Sequence, residues 1–264
     1  MTLLPAAAFG LVIGAALGLL GAGGSILAIP ALVYGVGVPL GAAIPTSLLV
    51  VAVSAAGGLA ARWRSKVIRR PVALVFAAAS VPAAFGGTAL GKLLPDRWLL
   101  VTFAVLMAVV AVRMLTAAPE RDGVCRTRAG GVNWRSCVPM ALAAGALVGV
   151  LTGLFGVGGG FVIVPALTML LGLTAPEAVA TSLVVIVLTA LGGLVAHAAT
   201  MPELPYGVAV VFAGVAFLAS LLAGKVGNRL PEAIVRRTFA SLVLAVAVGV
   251  AAAAVFAPAA LHGG

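Results

Sequence analysis

Two glycine-rich segments contain residues that can interrupt a helix and expose backbone amide groups. They consist of Gly21, Gly23, Gly24 and Ser25, and of Gly156, Gly158, Gly159 and Gly160. Glycine adopts backbone angles that other residues resist, so a helix that passes through either segment is expected to break. A helix that starts at such a break presents unpaired N–H groups, and these can bind an anion.

Two Thr-Ser pairs follow the glycine segments and add hydroxyl groups. The pairs are Thr46-Ser47 and Thr181-Ser182, and each is followed by a leucine. A hydroxyl can orient an anion without placing a permanent charge among apolar groups, or it can bond to the preceding turn of its own helix. Because the pairs recur near both glycine segments, we predict that they contribute to substrate binding. Paired breaks of this kind are expected to meet near the middle of a membrane.

A second set of glycines, spaced four residues apart, is typical of closely packed membrane helices. The set consists of Gly10, Gly14 and Gly18, and of the matching Gly145, Gly149 and Gly153. We assign these glycines to helix packing rather than to binding. Glu177 is expected to cap the start of a helix.

The sequence contains no residue pattern typical of an enzyme. It lacks HExxH and GxSxG motifs, a cluster of carboxylates with histidine and a phosphate-binding loop. Cys125 and Cys137 lack the spacing of a zinc site, and we expect reduced thiols without a role. No catalytic residue, metal or cofactor is therefore expected. An intramembrane enzyme acting on a lipid phosphate and a non-transporting scaffold are the alternative functions.

The composition indicates that these residues lie in a lipid bilayer. Of the 264 residues, 63% are hydrophobic and 8% are charged, whereas a soluble domain has about 45–50% and about 25%. The net charge of +10 comes from short basic clusters between apolar runs, which disfavours binding to nucleic acid. The expected partners are a small anion and the lipid bilayer, and a homodimer is left open.

An internal repeat divides the chain into two homologous parts. A shift of 135 residues aligns residues 10–61 with residues 145–196 without a gap, and 21 of the 52 pairs are identical. With one inserted residue the correspondence continues further along both parts. We predict an all-α polytopic membrane protein with a first repeat at 1–118, a cytoplasmic linker at 119–137 and a second repeat at 138–264.

The distribution of basic residues favours opposite orientations of the two repeats. If each glycine-rich segment doubles back, fourteen Lys and Arg residues lie on the linker side and two on the other, whereas single crossings give ten and six. The positive-inside rule favours the first arrangement. We predict inverted repeats, each a glycine-broken helical hairpin plus three transmembrane helices, with both termini outside. The alternative is eight simple transmembrane helices in parallel halves.

The doubled pattern resembles the TauE/SafE family of membrane permeases, which are also called sulfite exporters. It consists of GAGGSILAIPAL with PTSL, and of GVGGGFVIVPAL with ATSL, and it covers nearly the whole chain. The first copy has Ser25 where the second has Gly160. The resemblance implies a multi-pass transporter of sulfite, sulfonates or related sulfur oxyanions in a bacterial inner (cytoplasmic) membrane, usually acting outward. The residues alone predict only a small anion.

Export of an anion from such a cell would follow the membrane potential. A negative interior favours outward movement of an anion by about 2.3 kcal/mol per charge per 100 mV. We therefore expect that transport needs no proton-carrying residue.

Overall fold

The protein is a bundle of helices in the computed structural model. The structure describes residues 3–21, 40–63, 67–91, 93, 96–116, 134–155, 160–196 and 206–227, together with 24, 27–28, 31–32, 231, 234, 237–238, 240–241 and 243–248. The helices are α1 (Leu3–Leu20), α2 (Leu40–Arg62), α3 (Arg70–Gly91), α4 (Asp96–Thr116), α5 (Trp134–Phe155), α6 (Gly160–Pro165), α7 (Ala175–Ala196) and α8 (Tyr206–Gly227).

Five helices among the described residues are long and apolar enough to cross a membrane. The apolar spans lie within α2, α3, α5, α7 and α8, and their mean hydropathy ranges from 1.3 to 2.4. Large apolar side chains such as Leu74, Leu218 and Val195 remain exposed on the outside of the bundle, where a bilayer would cover them. The prediction of an all-helical, multi-pass membrane protein is confirmed.

Two helix pairs approach each other closely through glycine. The contacts are Gly10–Phe212, Gly14–Ala216 and Gly18–Ser220 between α1 and α8, and Gly145–Phe76, Gly149–Ser80 and Gly153–Ala84 between α5 and α3. A Cβ at Gly149 would lie 2.8 Å from the Cα of Ser80, so a larger residue would push the two helices apart. The predicted packing role of these glycines is confirmed. Residue numbers rise together within each pair, so its two helices run in the same direction.

The contacts between α2 and α7 show that these two helices run in opposite directions. Leu48 lies against Gly193, and ten residues further along α2, Gly58 lies against Leu183. The residue number on α7 falls as the number on α2 rises. The two helices are therefore antiparallel over about 15 Å.

Contacts of the same kind give the directions of the remaining helices. Residue numbers rise together between α2 and α8 and between α3 and α7, so each pair is parallel. The contacts are Gly57–Phe217 and Ala61–Gly224 for the first pair, and Arg69–Glu177 and Val81–Gly192 for the second. Helices α1, α2 and α8 therefore run one way, and α3, α5 and α7 run the other way.

These directions define two ends of the bundle. The linker end is the end at which α2 and α8 finish and at which α3, α5 and α7 begin, and the other is the opposite end. Helices α1 and α2 follow each other in the chain and yet are parallel. Helix α1 therefore ends at the linker end, whereas α2 starts at the opposite end.

A proline widens the helix that leads to α7. Pro165 at the end of α6 has no N–H group, and the following Ala166–Leu170 form a π-helical segment. The segment closes with a bond from the Leu173 N–H to the Leu167 oxygen at 3.0 Å, and Gly172 has a φ of 70°. This turn places the start of α7 at the linker end.

The start of α5 overturns one expectation about the cysteines. Cys137 lies in the first turn of α5, where it is buried and disulfide-bonded. The expectation of a reduced thiol is wrong for this residue. Helix α5 begins at Trp134, within the last residues of the predicted linker.

Candidate functional site

Helix α1 ends at the first glycine segment, as the sequence predicts. Gly21 has a φ of 75°, and its N–H donates to the Leu17 oxygen at 2.9 Å. This left-handed conformation favours glycine. A Cβ at Gly21 would also lie 2.9 Å from both the Ser182 Oγ and the Val179 oxygen of α7. The glycine therefore allows both a sharp end to α1 and a close approach to α7.

The chain has already reversed its direction at Gly24. A Cβ at Gly24 would contact the Ile13 oxygen and would lie 2.7 Å from the Leu17 Cγ. These two residues belong to α1, so the chain packs back along the helix that it has just left. Gly23 and Ser25 lie outside the described residues.

The second glycine segment is described only at its last residue. Helix α5 ends at Phe155, and α6 begins at Gly160, which is buried. The other three predicted glycines, Gly156, Gly158 and Gly159, lie outside the described residues.

Thr181 and Ser182, in the second turn of α7, are fully buried and hydrogen-bonded to protein groups. The Ser182 Oγ donates to the Gly21 oxygen at 3.2 Å and to the Val179 oxygen at 2.9 Å. The Thr181 Oγ1 accepts the N–H of Arg69 at 3.2 Å. The structure thus brings together Ser182 and Gly21, one predicted residue from each half of the chain.

Thr46 and Ser47 are buried near the start of α2, at the opposite end of the bundle. Leu48, which follows Thr46-Ser47, contacts Gly193 of α7, and Leu183, which follows Thr181-Ser182, contacts Gly58 of α2. Ten residues of each helix therefore separate these two contacts. The two pairs therefore lie on the order of 15 Å apart along the helix axes. The structure does not gather the four hydroxyl groups into one cluster.

An ion pair beside Thr181 was not predicted. The Arg69 Nε and Nη2 donate to the Glu177 Oε1 at 3.1 and 2.7 Å. The Glu177 Oε2 accepts the N–H of Thr174 at 3.1 Å, which confirms the predicted cap at the start of α7. The sequence Thr-Ala-Pro-Glu signals this cap, but no spacing signals a partner 108 residues away.

Three further buried hydroxyl groups were also missed. They belong to Ser54, Ser80 and Ser220, and they have no hydrogen-bond partner among the described residues. Ser220 of α8 lies against Gly58 of α2. An unpaired hydroxyl inside a protein costs about 1–3 kcal/mol. These three hydroxyl groups have hydrogen-bonding capacity left for a solute.

The linker end of the bundle is electropositive. Arg62 is buried where α1, α2 and α8 end, and its Nη1 donates to the Gly58 oxygen at 3.4 Å. A cation is favourable at helix C-termini. The Arg70 guanidinium lies 4.7 Å from the ring centre of Trp63, and the Arg69 side chain is 32% exposed. This end can attract anions, whereas the described residues contain no group of three potential metal ligands.

Comparison with known proteins identifies the family of the chain. A sequence model described as "Sulfite exporter TauE/SafE" matches residues 6–250. A "Probable membrane transporter protein" of Xylella fastidiosa (strain Temecula1) is 40% identical over 176 residues, and the match spans 66% of each chain, slightly less than two thirds. The "Probable membrane transporter protein YunE" of Bacillus subtilis (strain 168) is 30% identical over 207 residues, 71% of this chain and 75% of its own. No solved structure matches the chain.

The family match includes both glycine segments, both Thr-Ser pairs and all eight of the helices defined above, except for the first residues of α1. The fold agrees with a multi-pass membrane protein, because several of the described helices are long and apolar enough to span a bilayer. The chain therefore belongs to the sulfite exporter TauE/SafE family.

Proposed function

We propose that this protein is a secondary transporter that exports small anions, such as sulfite, sulfonates or other sulfur oxyanions, across the bacterial inner membrane. The observation that carries the proposal is the interruption of helices inside the membrane bundle: α1 ends at Gly21 beside a hydroxyl of the other half, and α6 begins at Gly160, at the end of the second glycine segment. The end of α1 presents carbonyl oxygens, whereas the first N–H groups of a helix that begins at such an interruption can hold an anion without a charged side chain. The name of the family adds sulfite to this inference.

Two repeats of opposite orientation are part of the proposal, and their contacts support it. Leu183 is the repeat equivalent of Leu48, and Gly58 is the repeat equivalent of Gly193. The contacts Leu48–Gly193 and Leu183–Gly58 are therefore equivalent. Helices α2 and α7 are equivalent in the two repeats and run antiparallel. Repeats with the same orientation would instead place these two helices parallel to each other.

The anion would pass two half-sites, one near each end of the bundle. The half-site at the linker end consists of Gly21, Gly23, Gly24, Ser25, Thr181 and Ser182. The half-site at the opposite end consists of Gly156, Gly158, Gly159, Gly160, Thr46 and Ser47. The Ser182–Gly21 bond supports the first grouping, and the repeat supports the second. The unpaired hydroxyls of Ser54 and Ser220 offer further hydrogen bonds to a solute between the helices.

The linker end would face the cytoplasm. Arg62, Arg69, Arg70 and Lys225 all lie at this end among the described residues, as the positive-inside rule requires for a cytoplasmic face. The disulfide at Cys137 would instead favour the outside for this end, because disulfides are rare in the cytosol. The basic residues decide the assignment, since they set the orientation of membrane proteins during insertion.

The proposal is tested by measuring transport in proteoliposomes. The purified protein is reconstituted, and the release of sulfite, methanesulfonate, sulfate, phosphate and chloride is followed with and without an imposed voltage. We expect release of sulfite or the sulfonate well above that from empty liposomes. Folded, reconstituted protein that releases none of these anions would reject the proposal.

A pair of glycine variants separates loss of the site from loss of the fold. Gly21→Ala forces an alanine into a left-handed backbone conformation and pushes its methyl group against α7. We therefore expect flux to fall while the protein still inserts. Gly214→Ala on α8 is the matched control, because no described atom outside its own helix backbone lies within 4 Å of the added Cβ. Equal flux in both variants would show that the Gly21 break does not take part in transport.

A further inference from the structure

The Arg69–Glu177 ion pair joins the two halves at the linker end. It links the residue before α3 to the first turn of α7, with distances of 3.1 and 2.7 Å to one carboxylate oxygen. The backbone N–H of Arg69 adds a third bond, to Thr181. The side chains of the pair are 32% and 12% exposed, so water screens the attraction only in part.

The start of α7 is held on two faces by elements of the first half. Successive residues of a helix are about 100° apart, so Glu177 and Thr181 share one face while Val179 and Ser182 lie on another. Arg69 contacts the first face, and Gly21 contacts the second. Any movement that opens the linker end between α7 and the first half must break these bonds.

The opposite end of the bundle cannot form the same ion pair. The repeat places Ala42 at the position of Glu177, and it places Leu204 or Pro205 at the position of Arg69. The Thr-Ser pair, by contrast, is present in both halves. The two ends therefore share the hydroxyl groups and differ in the charged contact.

We propose that the Arg69–Glu177 pair is a one-sided latch that holds the linker end closed, an inference that rests on the proposed transport function. Two identical inverted halves would exchange their conformations between two states of equal free energy. A contact that only one half can make removes this equality. The latch therefore favours the state that is closed at the linker end and open at the opposite end.

Hydrogen–deuterium exchange of the full-length protein in lipid nanodiscs tests the latch without any solute. The variants are Glu177→Gln and Arg69→Gln. The amide oxygen that Glu177→Gln introduces can still accept the Thr174 N–H, so this variant removes the charge and keeps the helix cap. We expect about two- to fivefold faster exchange in the first turns of α7, as for a partly exposed pair. We also expect slower exchange at residues 45–50 of α2.

Faster exchange in α7 together with slower exchange at residues 45–50 is called the reciprocal change. A merely structural contact would not give it. Arg70→Gln is the matched control, because it removes the same charge one residue further on while Arg70 contacts Trp63. It should alter neither region in this way. The double variant Arg69→Gln with Glu177→Gln should show no larger change than either single variant, because each single variant already breaks the pair. Glu177→Asp should give the same change at smaller size if the other variants do not insert.

Faster exchange confined to α7, with residues 45–50 unchanged, would overturn the latch and leave an ordinary ion pair. Sulfite release from proteoliposomes is measured on the same preparations. Release without the reciprocal change would reject the latch alone. The reciprocal change without release of any anion would reject the proposed substrates and keep the latch.

Discussion

The close contact of α1 with α8 and of α5 with α3 makes a paired prediction about stability. Gly14 and Gly149 occupy equivalent positions in the two repeats, and each lies against the backbone of the facing helix. Replacing either glycine by alanine adds one methyl group to a contact that has no room for it. We expect Gly14→Ala and Gly149→Ala to destabilise the protein by similar amounts.

The size of the effect follows from the distances. A Cβ at Gly14 would lie 2.7 Å from the Cα of Ala216, whereas carbon atoms pack best at about 3.5–4.0 Å. The helices must separate by about 1 Å, and overpacking of this kind costs about 1–3 kcal/mol. At Gly214 no described atom outside its own helix backbone lies within 4 Å of the added Cβ. Gly214→Ala should therefore leave stability unchanged or raise it by up to about 1 kcal/mol.

Equilibrium unfolding in mixed detergent micelles measures these differences. The two contact variants should unfold at lower denaturant fraction than the wild type, with equal shifts, and the Gly214 variant should not. If the Gly14 and Gly149 variants behave like the Gly214 variant, the helices do not pack as described. A large shift for only one of the two would contradict the equivalence of the two repeats.

Ser182→Ala is expected to lower the free energy of unfolding by about 1–2 kcal/mol, because the buried Gly21 oxygen loses its donor; unchanged stability in the same titration would count against this bond. Ser220→Ala should not destabilise the protein, because the Ser220 hydroxyl is buried without a partner among the described residues. The same variant should lower anion flux. A fall of more than about 1 kcal/mol in the free energy of unfolding would show that the hydroxyl is already hydrogen-bonded. Sulfite efflux should rise with an inside-negative voltage, since 100 mV is worth about 2.3 kcal/mol per charge; equal rates at zero and at negative potential would reject uncoupled anion export.

The helical class and the packing glycines were predictable because they depend on local patterns. Charge-free runs indicate apolar membrane helices, and the spacing of Gly10, Gly14 and Gly18 places three small residues on one face of α1. The end of α1 at Gly21 was predictable for the same reason. A cluster of glycines acts on the backbone conformation at its own position.

The ion pair and the depth of the Thr-Ser pairs were not predictable from the sequence. Arg69 and Glu177 are 108 residues apart, and they meet only because α3 and α7 start at the same end of the bundle. The repeat indicates that Thr46 and Thr181 are equivalent, but it does not give the distance between them. That distance depends on how far α2 and α7 overlap, which is a property of the packed helices.

Site-directed labelling of single cysteines tests most directly whether the two halves have opposite orientations. Cysteine replaces Trp63 after α2, Lys225 near the end of α8 or Leu93 after α3, in a protein without Cys125 and Cys137. All three positions are exposed. We expect a membrane-impermeant maleimide to label positions 63 and 225 from the cytoplasmic side and position 93 from the outside. Labelling of position 225 from the same side as position 93 would contradict the inverted arrangement.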